Sequence, residues 1–159
     1  MIFITLGSQK FQFDRLLRAV DELIAAGRIT EPVFAQAGYS TYVPKHFTFE
    51  TFMDGDSFSR HIAEADVVIA HAGTGAIIRA VKMGKRVIVV PRLKKYGEHV
   101  DDHQTQIAEL FSSAGMIVRC DDCSVLDEKL REVRELEIKP YVSNTDAYIS
   151  FITDFLESR

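Results

Sequence analysis

Residues 67–91, VVIAHAGTGAIIRAVKMGKRVIVVP, place a helical segment between two short apolar runs. The runs at 67–70 and 86–90 are rich in valine and isoleucine, which predicts strands that are buried on both faces. Residues 76–83 have the length and composition of a short helix that ends at Gly84. A strand, a helix and a second strand in this order predict a unit of a parallel sheet.

The same alternation continues on both sides of this stretch. We predict further strands at 2–6, 33–37, 47–49 and 116–119, and further helices at 13–24, 58–65, 102–113 and 125–135. The chain is therefore predicted to be one domain over 1–159. Its fold class is α/β, a single doubly wound Rossmann-like domain with a mostly parallel sheet.

The C-terminal segment predicts one more helix, at about 143–157. Its apolar residues have the spacing of one helical face, at Tyr148, Ile149, Ile152, Phe155 and Leu156. Phe151 falls off this face, and we expect it to contact a partner protein. The alternative is that all six side chains cover the core of this domain.

The composition excludes several classes of protein. The chain has 159 residues, 47% hydrophobic and 26% charged, which is typical of one globular domain. Its net charge of −4 gives little support to nucleic-acid binding. No stretch approaches the roughly 20 apolar residues of a membrane span, and the N terminus lacks the basic start of a signal peptide. We therefore expect a soluble chain.

Cys120 and Cys123 are the two cysteines of the sequence. A C-x-x-C pair occurs in redox proteins and in zinc sites, but the second pair that would complete a zinc site is missing. We interpret the pair as reduced thiols in a loop, which agrees with a cytoplasmic location.

Three loops follow predicted strands and should meet at one edge of the sheet, where ligands of such domains bind. In the first loop, Gly7 and Ser8 either let the backbone approach a ligand closely or form a plain turn. In the second loop, the small residues Gly73, Thr74 and Gly75 expose amides at a helix N terminus, which stabilises a diphosphate.

Two side chains of the second loop carry their own predictions. Thr74 is expected to cap the helix or to bind phosphate through its hydroxyl group. His71 is placed to donate to a phosphate oxygen, although a structural hydrogen bond explains a histidine at a strand end equally well.

The third loop, residues 91–104, combines cations, acids, histidines and a glutamine. We expect its polar side chains to hydrogen-bond a ligand, in particular Glu98, Asp102, His103 and Gln104. His99 and His103 are four residues apart, as zinc ligands are in metalloproteases. The H-E-x-x-H pattern and a third ligand are missing, so no metal site is predicted.

Three segments resemble the C-terminal, donor-binding domain of family 28 glycosyltransferases: HAGTGAIIRA at 71–80, GKRVIVVPR at 84–92 and GEHVDDHQ at 97–104. The resemblance runs from Gly7 into the terminal helix and is closest to the stand-alone form of this domain. That form includes the catalytic subunit of the eukaryotic dolichol-linked UDP-N-acetylglucosamine transferase and small bacterial subunits of exopolysaccharide and capsule transferases. The last two segments are more similar to the bacterial subunits.

The resemblance implies one half of a GT-B fold that is divided between two chains. This chain would bind a UDP-sugar, and a membrane-associated partner would hold a lipid-linked glycan acceptor at the inner face of the membrane. The implied activity is that of an inverting glycosyltransferase subunit in polysaccharide biosynthesis, active in complex with its partner. It would need no cofactor and no metal, because amides, a helix dipole and basic side chains would offset the charge of the leaving group.

The resemblance also assigns roles by position. The implied donor-binding residues are Gly7, Ser8, His71, Gly73, Thr74, Gly75, Arg92, Asp102, His103 and Gln104. Glu98 and His99 are the candidate catalytic residues, with the partner as the alternative source of the general base. Arg79 stands where many relatives have a glutamate that hydrogen-bonds the ribose. Because arginine cannot accept hydrogen bonds, another acceptor is needed, or the arginine favours an acidic donor such as UDP-glucuronate.

Two other classes of function share features of this sequence. A non-catalytic, nucleotide-binding subunit that activates a separate transferase would carry the same loops. A sugar epimerase of related architecture is disfavoured, because such an enzyme needs two linked domains in one chain.

Overall fold

Six strands form one sheet in the computed structural model, which describes residues 1–138 and 141. Their bounds are Ile2–Thr5 (β1), Val33–Gln36 (β2), Thr48–Glu50 (β3), Val67–Ala70 (β4), Arg86–Val89 (β5) and Val118–Arg119 (β6). The order across the sheet is β3-β2-β1-β4-β5-β6, and every neighbouring pair is parallel. This order is that of a Rossmann fold and confirms the predicted class. The sheet is wholly rather than mostly parallel over the described residues.

Helices cover both faces of the sheet, as a doubly wound fold requires. On one face, Asp14–Ala25 (α1) and Leu126–Glu135 (α5) pack on the side chains of Ile2 and Ile4. On the other face, Gly55–Glu64 (α2), Thr74–Lys82 (α3) and His103–Ser113 (α4) share a core with Phe3. All four residues of β1 and of β4 are buried, which explains why their sequences are continuously apolar.

The structure moves several predicted boundaries. Helix α2 begins at Gly55, three residues before the predicted start, because the Asp54 carboxylate accepts hydrogen bonds from the amides of Asp56 and Ser57. Strand β6 is two residues long, against four predicted. The predicted C-terminal helix at about 143–157 lies outside the described residues.

The strand order places two predicted loops side by side. Strands β1 and β4 are neighbours at the centre of the sheet. After β1 the chain continues to β2 on one side, and after β4 it continues to β5 on the other side. Ligands of open α/β sheets bind at such a switch point, beyond the carboxyl ends of the strands. The residues that follow β1 and β4, Gly7 and His71, lie at this point.

Candidate functional site

A cavity of about 390 Å³ opens at the switch point between β1 and β4. Its lining comes from the ends of β1 and β2, from the loops after β1, β3 and β4, and from α2 and the start of α3. The lining residues are Thr5, Gly7, Ser8, Gln9, Gln36, Phe52, Met53, Phe58, His71, Gly73, Gly75 and Ala76. Five of the ten predicted donor-binding residues are among them: Gly7, Ser8, His71, Gly73 and Gly75.

Gly7 and Gly73 face each other across the imidazole of His71. Gly7 has a φ of +74°, which a side chain would strain, and a Cβ there would lie 2.6 Å from His71 Cε1. Gly73 has an ordinary φ of −86°, but a Cβ there would lie 2.7 Å from the same atom. Glycine at both positions therefore makes room for the His71 ring at the wall of the cavity.

His71 is held as a neutral imidazole with a defined tautomer. Its Nδ1 lies 3.3 Å from the Thr5 carbonyl oxygen, which only accepts, so Nδ1 carries the proton and donates. Burial, together with the nearby positive charge of Arg92, lowers the pKa of His71 to about 4. The unprotonated Nε2 is therefore the ring atom that lies against Gly73 at the cavity wall. The structural hydrogen bond is therefore present and the ring also lines the cavity, while donation to a phosphate oxygen stays a prediction.

The N terminus of α3 is open toward the cavity. Gly73 occupies the cap position, and no side chain caps this end among the described residues. The prediction that Thr74 caps the helix is wrong, because Thr74 is its first residue and is exposed. The first amides of a helix have no partner within it, so this end offers donors and a positive dipole to an anion.

None of residues 91–104, the third loop, is part of the cavity lining. Arg92 and Glu98 are each 1% exposed and make structural contacts, described below. Gln104 is also buried, and its Oε1 accepts hydrogen bonds from the amides of Ala72 and Arg92. Asp102 is exposed, and its carboxylate accepts from the amide of Lys94. His103 is exposed, and the structure shows its amide donating to Asp101.

The two candidate catalytic residues have different surroundings. The carboxylate of Glu98 accepts from Arg15 Nε and Nη2, each at 3.0 Å, and from the amide of Leu93. His99 Nδ1 lies 3.0 Å from the Asp101 carboxylate, and its ring packs on Phe11 at 5.2 Å between centroids. Both carboxylate oxygens of Glu98 thus accept hydrogen bonds from within the protein. His99, in contrast, is paired with the exposed carboxylate of Asp101. Their catalytic assignment stays a prediction.

Several lining residues were not predicted. Gln36 is the last residue of β2, and its side-chain amide is hydrogen-bonded to the backbone of Gly7. Phe52 and Met53, which follow β3, form an apolar wall of the cavity together with Phe58 of α2. The aromatic content of the segment before α2 was the available signal for this wall. Gln36 is a single polar residue at a strand end and has no sequence pattern to mark it.

The described residues contain no group of three or more histidine, cysteine or carboxylate side chains suited to a metal ion. Burial raises the pKa of Cys120 to about 12 and that of Cys123 to about 11, so both thiols are unreactive. Within the same part of the chain, no helix is both long and apolar enough to cross a bilayer.

Residues 1–158 match the family model described as "Glycosyltransferase family 28 C-terminal domain". Among curated proteins, the chain is 31% identical over 134 residues to the human UDP-N-acetylglucosamine transferase subunit ALG13, with 79% of this chain and 11% of that protein covered. It is also 31% identical over 109 residues to the Candida glabrata protein of the same name, which covers 65% of this chain and 50% of that one. The chain thus spans at most half the length of these two relatives.

Several solved structures share the fold of this chain. Acinetobacter baumannii MurG superposes with a TM-score of 0.52 at 21% identity, over 85% of this chain and 42% of that one. An NMR structure of ALG13 gives a TM-score of 0.56 at 20% identity, over 89% of both chains. The calicheamicin glycosyltransferase CalG4 gives 0.59 at 18% identity, over 84% of this chain and 36% of that one. A match to well under half of the larger chains agrees with the predicted half of a GT-B fold.

Proposed function

Because the chain belongs to the glycosyltransferase family 28 C-terminal domain family, we propose that it binds the UDP-sugar donor of a glycosyltransferase whose acceptor is held by a second subunit. The observation that carries this proposal is the cavity at the switch point, where two glycine-containing loops and an open helix N terminus meet. Its volume is in the range of small-molecule sites.

One side of the cavity suits the diphosphate. Gly73 and Gly75 present backbone at the start of α3, and Gly7 and Ser8 do so from the loop after β1. No carboxylate lines the cavity over the described residues, so an anion meets no like charge there. Amide donors and the helix dipole stabilise a diphosphate at such a place, both when bound and as a leaving group. A divalent ion is therefore not required, in keeping with metal-independent, inverting transfer.

The other side suits the nucleoside. Phe52, Met53 and Phe58 supply an apolar wall against which a flat base can pack. Arg79 lies next to this wall, with its guanidinium 5.4 Å from the centre of the Phe58 ring. The Arg79 guanidinium donates to Ser59 Oγ at 3.4 Å and carries no acceptor for a ribose hydroxyl, so we assign the ribose contacts to other groups.

We assign the binding of the acceptor to a partner subunit. We propose a membrane-associated subunit that presents a lipid-linked glycan, with this chain at the inner face of the membrane. The names of the curated relatives make UDP-N-acetylglucosamine the first donor to test. A role in exopolysaccharide or capsule synthesis rests on the resemblance of residues 91–104 alone. On this chain, His99 with Asp101 suits a general base better than Glu98, whose oxygens are already bonded.

The first test is a panel of UDP-sugars in excess chelator. A ligand that binds only the native state at 100 times its dissociation constant adds about 2.7 kcal/mol of stability. For a chain of this size this corresponds to a Tm increase of roughly 5–10 °C. We expect such an increase with UDP and at least one UDP-sugar, and none with GDP-sugars or NAD at equal concentration. A shift that requires manganese or magnesium contradicts the metal-free site, and no shift with any uridine nucleotide contradicts the proposed function.

A second expectation concerns pH. Neutral His71 offers no proton on the ring nitrogen beside Gly73, and a bound diphosphate favours the protonated ring. Its pKa should therefore rise on binding from about 4, so that the complex holds more protons than the free protein. Affinity for a UDP-sugar should then increase as pH falls from 8 to 5, by up to about tenfold per unit.

Calorimetry in buffers of different ionisation enthalpy measures this proton uptake directly. A UDP-sugar is preferable to UDP, because its diphosphate is a diester that does not titrate in this range. His71→Gln should lose the pH dependence and weaken binding. Equal pH dependence in the variant and the wild type would show that His71 is not the group that takes up the proton.

A further inference from the structure

The loop between β1 and α1 is anchored at three backbone positions by two buried side chains. Gln36, 5% exposed at the end of β2, accepts from the amide of Gly7 at 3.1 Å and donates to its carbonyl oxygen at 2.9 Å. Arg92, 1% exposed, donates to the carbonyl oxygen of Leu6 at 2.6 Å and to that of Phe11 at 2.9 Å. The backbone of the loop is thus held at Leu6, Gly7 and Phe11.

The residues between these anchors are exposed. Ser8, Gln9 and Lys10 lie at the surface, and Ser8 and Gln9 line the cavity. No side chain of the described residues accepts a hydrogen bond from their amides. The amides of Ser8 and Gln9, two residues that line the cavity, thus have no hydrogen-bond partner among the described residues, and the backbone on both sides of them is held in place. A loop with fixed ends loses less conformational entropy on binding than a free one.

We propose that Gln36 and Arg92 are positioning residues for donor binding, which hold the Gly7–Phe11 loop in its ligand-ready conformation. This inference rests on the proposed function. Gln36 is suited to this role because an amide both donates and accepts, and here all its capacity is used: its Oε1 also accepts from the Thr5 hydroxyl group and its Nε2 also donates to the Thr51 carbonyl oxygen.

Arg92 contributes its charge as well as its hydrogen bonds. It contacts three carbonyl oxygens, those of Leu6, Phe11 and Glu98, and its Nε has no partner among the described residues. The Glu98 carboxylate is turned to Arg15 instead. The buried guanidinium is therefore a cation behind the anion-binding loop, close enough to His71 to lower the pKa of the imidazole.

Paired variants separate these contributions. Gln36→Met removes both halves of the amide, and Gln36→Glu keeps the acceptor but loses the donors to Gly7 and Thr51. Arg92→Met removes the charge and the bonds, whereas Arg92→Lys keeps the charge but cannot reach both carbonyl oxygens. Asp21→Asn is the matched control, since the Asp21 carboxylate is 2% exposed and pins residues 42–46 to α1 away from the cavity.

We expect all four variants of Gln36 and Arg92 to bind UDP about ten- to a hundredfold more weakly, since ordering one residue costs roughly a factor of ten in affinity. The amides of the Gly7–Phe11 loop should also exchange with solvent faster. Asp21→Asn should lower the Tm and leave the affinity unchanged. In Arg92→Met the pKa of His71, followed by NMR of its ring, should rise from about 4, and in Arg92→Lys it should stay low.

The outcomes are distinguishable. If the wild-type chain binds no uridine nucleotide, the proposed function fails and this inference fails with it. If the wild type binds and the folded variants bind equally well, only the positioning role is overturned. If either methionine variant does not fold, Gln36→Glu and Arg92→Lys decide by the same measurements.

Discussion

The purified chain is expected to transfer sugar to a lipid-linked acceptor several orders of magnitude more slowly than the chain combined with its acceptor-binding subunit. The cavity lies beyond the carboxyl ends of the strands of a single sheet and is open to solvent. Holding both reactants in place lowers the barrier by roughly 7–11 kcal/mol, so a donor domain alone loses most of its rate.

Exposed apolar side chains follow strands at the carboxyl edge of the sheet. Tyr39, Phe52, Tyr96 and Val100 follow strands at this edge and are 47%, 47%, 48% and 63% exposed. The rings of Tyr39 and Phe52 contact each other edge to face, with 5.2 Å between their centroids, although both side chains are exposed. Aromatic side chains around a site are typical of surfaces that another protein buries.

The measurement uses each subunit alone and both together, with a labelled UDP-sugar and a lipid-linked acceptor. Activity that appears only in the mixture is the expected result. Robust transfer by this chain alone would refute the division of the enzyme between two chains. Transfer by the partner alone would favour the second hypothesis, in which this chain only activates a separate transferase.

The sequence predicted the fold and several residues of the cavity lining because both depend on local patterns. Strand β4 was predicted with its observed bounds, since a strand buried on both faces must be apolar throughout. His71 and Gly73 follow it directly, and the parallel topology alone fixes the edge of the sheet to which they belong.

The third loop shows where such prediction ends. Arg92 and Glu98 were expected to contact the donor, as polar residues after a strand often do. Their side chains instead turn inward, because Arg15 of α1 and the carbonyl oxygens of the first loop meet them there. These contacts join residues more than 80 positions apart, and no local pattern specifies them. Gln36 was missed for the same reason.

The Gly73→Val substitution is expected to weaken binding of UDP and UDP-sugars by at least a hundredfold while the fold survives. The φ of −86° at Gly73 is open to valine, so the backbone is not strained. A Cβ would nevertheless lie 2.7 Å from His71 Cε1, and the branched side chain would push the imidazole out of its place. The same atoms would also fill the approach to the first amides of α3. Loss of several charge-assisted hydrogen bonds, each worth about 1.5–3 kcal/mol, accounts for the predicted effect.

Gly55→Ala is the matched control, because Gly55 also stands at the start of a helix, does not line the cavity, and a Cβ there meets no atom within 4 Å. Alanine should stabilise the first turn of α2 by about 0.5–1 kcal/mol, raise the Tm and leave UDP binding unchanged. Valine at the cap position should lower the free energy of unfolding by about 1 kcal/mol, which a domain with 5–15 kcal/mol of stability tolerates. Circular dichroism and thermal melts establish that both variants fold, and calorimetry then gives their affinities. Unchanged UDP binding by a folded Gly73→Val variant would mean that the diphosphate does not lie at the start of α3, because no ligand could contact these amides without meeting the valine.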